Sequence, residues 1–135
     1  MEFSEALEKA EGNENVQRLK GFFLGSSFAS ISTDKQAENG DDVNEWTLLY
    51  YSPAKKSVVD CFVSEKIVTV GEETPAIKEM HELQVTRVKV PLHEALSLAD
   101  GHVKKRPLNI LISLHMKDIG EKTYIVWTMA FVTAE

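Results

Sequence analysis

The sequence predicts an α+β domain in which a short helix followed by antiparallel strands occurs twice, in the order α-β-β-β-β-α-β-β. Three observations predict it. Apolar residues recur at spacings of three and four near the N-terminus and again after Pro91, the signature of a helix with one buried face. Alternating or β-branched runs follow each of these stretches. The chain's two tryptophans, Trp46 and Trp127, are each followed by a threonine and an apolar run.

From Phe3 to Phe23, the residues Phe3, Ala6, Leu7 and Ala10, then Val16, Leu19, Phe22 and Phe23, fall on one helical face. Gly12-Asn13 interrupts them, and Asn13 can cap a second short helix, so the segment reads as a broken helix ending near Gly21. Phe28 to Thr33 reads as a weak strand and the polar run Asp34 to Asn44 as a solvated loop. Trp46 to Tyr51 is a strand, Ser52-Pro53-Ala54-Lys55-Lys56 a turn, and Ser57 to Val63 the returning strand of a hairpin. Ile67 to Val70 extends this sheet, and the acidic stretch Gly71 to Glu82 reads as an irregular connection.

Val85 to Val90 is strand-like. Pro91 opens the next helix, where a missing N–H costs nothing, and Leu92, Ala95, Leu96, Ala99 and Val103 form its stripe, with Gly101 as a stop. Leu108 to Met116 alternates as a half-buried strand, and Lys117 to Glu121 turns the chain. Thr123 to Val132 is apolar on both faces, which predicts a central strand.

The repetition sets two halves within a single domain, about residues 3–70 and 85–132. Glu5-Ala6-Leu7 returns as Glu94-Ala95-Leu96 at an offset of 94 − 5 = 89, and Trp46-Thr47 returns as Trp127-Thr128 at 127 − 46 = 81. One helix on one hairpin is too small to hold a core, so the halves are expected to share one, with both indoles inside it.

An Ala-rich helix, then Trp46-Thr47-Leu48-Leu49-Tyr50-Tyr51, a turn and a Val-rich strand resembles the PepSY-type unit, a helix lying on an antiparallel sheet. The resemblance covers Glu5 to Val70 and, in outline, Pro91 to Val132, where a third strand has no obvious place. It implies a tandem of such units; typical PepSY units are secreted or membrane-linked and are thought to restrain peptidases. The element order is also similar to that of the small acidic chaperones of secretion systems, without their final helix.

Composition narrows the function classes. A net charge of −6 disfavours nucleic acid, whose affinity comes from Lys and Arg neutralising phosphates, and Lys104-Lys105-Arg106 reads as a solvated helix end. Nothing approaches the ~20 apolar residues of a membrane span, and Met1-Glu2-Phe3-Ser4-Glu5 lacks the basic start of a signal peptide. With one cysteine and no leader, the expected location is cytoplasmic.

No residue set commits to a chemistry. Cys61 lies mid-strand, where burial makes a thiol inert. His81, His93, His102 and His115 lack metal-ligand spacing, and Asp41-Asp42 and Glu72-Glu73 sit in polar stretches rather than in the apolar pocket that acid–base work wants. The glycines form no phosphate-binding loop. The expectation is no catalytic residue, no metal and no cofactor.

Tyr50 and Tyr51 place one ring on each face of their strand, so at least one can face solvent and suit a binding patch, the alternative being a ring that covers the sheet's outer face. The expected function is a non-enzymatic binding or regulatory module, receiving a protein, a peptide or a second copy of itself at its sheet face or edge. A small-molecule site or enzyme in the helix–sheet groove, lined by Tyr50, Tyr51, His115 or Asp118, is the alternative. A chaperone-like carrier with an exposed apolar patch is the third.

Overall fold

A computed structural model describes residues 1–32, 43–100 and 109–132. The expected loop Asp34–Asn44, up to Asp42, and Val103, Gly101, His102, Leu108 and the Lys104-Lys105-Arg106 cluster lie outside the described residues. The fold is α+β: three α-helices and one six-stranded antiparallel sheet among the described residues. In chain order these are α1 (Phe3–Glu11), α2 (Glu14–Gln17), β1 (Phe23–Ser32), β2 (Glu45–Ser52), β3 (Ser57–Ser64), β4 (Val68–Pro75), α3 (Leu92–Asp100), β5 (Asn109–Ile119) and β6 (Lys122–Val132). Across the sheet they stand β4-β3-β2-β1-β5-β6.

The broken N-terminal helix forms as its sequence dictates. α1 ends at Gly12, and the Asn13 side-chain oxygen accepts from the N–H groups of Asn15 and Val16 at 2.9 and 3.3 Å, starting α2. Its apolar face, Phe3, Ala6 and Ala10, is buried on the sheet, with the Phe3 ring edge-on to Trp46. Trp46, Leu48, Val63, Cys61, Ile112 and Leu114 complete the core on that face.

Four expectations need correction. β1 starts at Phe23 and is a central strand rather than a weak one; its small residues, such as Ser26 and Ser27, lower β propensity but fit a strand covered on both sides. β4 continues through Gly71 to Pro75, because an edge strand tolerates the charges and proline that read as loop. Val85–Val90 does not join the sheet; Val85–Arg87 is a 3₁₀ turn, and Val85 and Val88 pack on the core beneath it. β5 runs straight through Lys117 to Ile119, and the reversal is confined to Gly120-Glu121, with Gly120 at φ +66°.

The two tryptophans occupy matching places. Trp46 Nε1–H donates to the Met1 carbonyl at 2.9 Å, and Trp127 Nε1–H donates to the Val90 carbonyl at 2.8 Å. Met1 and Val90 each stand two residues before a helix, at the same 90 − 1 = 89 offset as the helical repeat. Trp46 faces Ala29 on β1, and Trp127 faces Leu114 on β5, an offset of 114 − 29 = 85. That offset exchanges Phe28 and Ser113, since 28 + 85 = 113, and these two face each other in the β1·β5 ladder. An approximate two-fold axis therefore passes between them, relating α1-β1-β2 to α3-β5-β6.

Glu2 ties the halves together. Its carboxylate accepts from the N–H groups of Leu92 and His93 at 2.8 and 3.1 Å and meets His93 Nδ1 at 2.6 Å, capping α3, whose own preceding residue, Pro91, has no side-chain acceptor. Burial pushes the Glu2 carboxyl up, but the bonds from His93 and Leu92 outweigh it and hold the group below the ordinary glutamate range.

Both indoles join the core as expected, but Trp46 is wholly buried and Trp127 only half so, packed against it. Trp46→Ala is expected to cost about 3–5 kcal/mol in urea denaturation and Trp127→Ala distinctly less. A group with a depressed folded pKa stabilises above its unfolded pKa, and that stability is lost as pH falls through the folded value. The melting-temperature advantage of the native protein over Glu2→Gln is thus present at neutral pH and closes below the ordinary glutamate range, as followed by circular dichroism.

Candidate functional site

Two features stand out, one at an edge of the sheet and one on its outer face. The sheet's two edges differ in character. β4 carries Glu72, Glu73 and Pro75, side chains that oppose pairing with another strand. β6 runs Lys-Thr-Tyr-Ile-Val-Trp-Thr-Met-Ala-Phe-Val, eleven residues with a charge only at Lys122. It was expected to be central. It is instead an edge strand, apolar on both faces, and among the described residues no strand lies along its outer side.

The register shows which main-chain groups that edge offers. Ile119 and Lys122 close a two-residue turn, so Lys122 bonds inward to β5 and the direction alternates along the strand. Thr123, Ile125, Trp127, Met129 and Phe131 then aim their N–H and C=O outward. The Thr123 carbonyl, accordingly free of β5, accepts from Arg87 Nη2 at 2.9 Å. The outward groups from Ile125 to Phe131 have no main-chain or side-chain partner among the described residues. They span about 20 Å of strand. The side chains of these same residues are half-buried on the helical face, while Tyr124, Thr128, Ala130 and Val132 are exposed on the other.

The position equivalent to β6 in the first half is β2, and β2 is covered. β3 lies along it, setting Val63 against Trp46 and Phe62 against Thr47. A single row crosses the outer face from Phe62 through Thr47, Phe28 and Ser113 to Thr128, where it stops at the open edge.

The outer face holds the second feature, a groove of about 690 Å³ beneath the segment Ala76–His81 that leads away from β4. β1 bulges at Gly25, and Met80 fills the space a side chain would need: a Cβ there would come within 2.8 Å of Met80 Cε. Where the β1·β5 ladder ends, the Leu24 carbonyl accepts from Leu83 N–H at 2.7 Å, so the segment is stitched to the sheet. Ser26 lines the groove, is 2% exposed, and its hydroxyl has no partner among the described residues.

Of the four residues singled out from sequence, the structure brings two together. His115 and Asp118 line this outer groove, which lies between sheet and connecting segment rather than between helix and sheet. Asp118 accepts from the Thr123 hydroxyl at 2.6 Å and lies 3.3 Å from His81 Nε2, and these bonds hold its carboxyl below the usual range. His115 bonds the Ser113 hydroxyl at 3.2 Å; burial, with Lys78 and Lys117 nearby, pushes its pKa down.

Neither tyrosine is open to solvent, contrary to the expectation for at least one. Tyr50 is 8% and Tyr51 3% exposed, the former under α1 and the latter against the Phe23 ring. Burial pushes the Tyr50 phenol and the Cys61 thiol up, the thiol to about 11, so both stay protonated at neutral pH. No group of three metal-ligating side chains occurs among the described residues.

The sequence reading missed Gly25, Ser26, Met80 and Arg87. An isolated glycine inside a strand is a signal for a bulge or close approach, and Gly25 could have been found that way. Arg87 and Met80 act through tertiary placement and carry no local signal. No helix among the described residues is long and apolar enough to cross a membrane. Comparison with protein-family models, curated proteins and solved structures finds no match for this chain.

Gly25→Ala is expected to expel Met80 from the bulge and cost about 1–3 kcal/mol, the range for overpacking. Met80→Ala in the same chain relieves the clash, so a double-mutant cycle in urea should show strong coupling.

Proposed function

We propose that this protein is a non-enzymatic binding module whose working surface is the outer edge of β6, where it receives an extended strand from a protein partner. The observation that carries this reading is the unequal treatment of two matching strands: β2 is covered by β3, and among the described residues no strand pairs with the outward main-chain groups of β6. Strand addition supplies affinity through those groups and specificity through alternate side chains beside the strand. The likeness of the sequence to PepSY-type units is compatible with this reading and is not required by it.

β3 itself defines a suitable probe, Ser-Val-Val-Asp-Cys-Phe-Val-Ser, small or branched on the face it shares with Trp46. A peptide of that sequence is expected to bind in a calorimetric titration, and Met129→Pro to abolish binding. Proline at 129 removes an outward N–H and none that β5 uses. Absence of binding, or binding indifferent to Met129→Pro, contradicts the reading.

The buried Ser26 hydroxyl, without a partner among the described residues, favours a second reading, a small-molecule site in the outer groove with His115 and Asp118 at its rim. A thermal-shift screen of metabolites tests it. A ligand at a hundred times its Kd adds about 2.7 kcal/mol, and Ser26→Ala should diminish its shift. A screen without shifts counts against the site.

A further inference from the structure

We propose that the strand received at β6 is β6 of a second copy, paired antiparallel about a two-fold axis at Thr128. The proposal rests on the open-edge reading above and names the occupant. An antiparallel edge is complementary to itself, which is what a two-fold interface requires. Its register follows from the groups on offer. Arg87 occupies the carbonyl of Thr123, which leaves Ile125, Trp127, Met129 and Phe131 as the free outward residues among those described. Pairing in which residue numbers sum to 256 uses all of these four: Ile125 meets Phe131, and Trp127 meets Met129 (125 + 131 = 127 + 129 = 256).

The side chains agree with that register. On the helical face it sets the Met129 thioether of one copy beside the Trp127 indole of the other, a favourable sulfur–aromatic contact. On the outer face Thr128 meets Thr128, in the place that Phe62 takes beside Thr47 in the first half. Charge allows it as well. The chain is acidic overall, but no charged side chain lies between Lys122 and Val132, so no like charges face across the seam. Two β4 edges would set Glu72 and Glu73 against their own copies. An edge of about 20 Å buries less than a standard interface, so the dimer is expected to be weak, with dissociation on the order of micromolar.

The test is sedimentation of the full chain across the micromolar-to-millimolar range, with variants at the exposed Thr128. The wild type should pass from monomer to dimer. Thr128→Lys and Thr128→Glu should each raise the dissociation constant about tenfold through like charges directly opposed across the interface, and an equimolar mixture of the two should recover the dimer. Thr128→Cys should form an intermolecular disulfide under mild oxidation, since facing residues of this class have Cα atoms about 4.5 Å apart. Cys61, wholly buried, offers no competing thiol. A chain that stays monomeric to millimolar concentration overturns the proposal, as does a dimer indifferent to all three substitutions. If the monomer still binds the β3-sequence peptide, only the second copy fails as occupant; if it binds none, the open-edge reading fails with it.

Discussion

The rest of the structure depends on the β1·β5 ladder. Seven residue pairs, Ser26 to Ser32 against Asn109 to His115, join segments that lie more than seventy residues apart in the chain. Closing so long a loop is entropically costly, and the ladder forms only because what it assembles is buried together. It brings the Trp46 and Trp127 rings to 6.1 Å and lets Glu2 reach the start of α3. Without it, α3 would be left on the β5–β6 hairpin alone, too small to shield it, and the four-stranded first unit would lose the Trp127 ring beside Trp46.

The ladder joins two similar units, and their differences are as informative as their likeness. Each Trp strand anchors its indole to the carbonyl two residues before a helix. The first unit then adds the β3–β4 hairpin, which covers β2 and buries Trp46 completely. Among the described residues, the second unit stops at β6. That single difference accounts for the half-burial of Trp127, the row of side chains that ends at Thr128, and an apolar edge that, among the described residues, is met only at Thr123 by Arg87. The opposite edge is protected by Glu72, Glu73 and Pro75.

Much of the architecture was legible in the sequence because local rules and tertiary packing agree there. The Gly12-Asn13 break, the hairpin around Pro53 and the helix after Pro91 follow from capping and turn chemistry alone. Strand order was not legible. Ser26, Ser27 and Gly25 look unlike a central strand, and Trp127 to Phe131 looks like one, because composition reports how much apolar surface a strand has and not which neighbours cover it. The candidate site was legible only in fragments. His115 and Asp118 do meet at one groove, but Tyr50 and Tyr51 are packing residues, and the edge emerges only once the register is known.

Amide hydrogen exchange along β6, measured by NMR at high dilution, tests the central claim most directly. An edge open on its outer side predicts alternation: the amides of Tyr124, Val126, Thr128 and Ala130, bonded to β5, exchange slowly, and those of Ile125, Trp127, Met129 and Phe131 exchange fast. Uniform protection of both sets in the dilute monomer would contradict the account, because it would mean that the outer side of β6 is already covered.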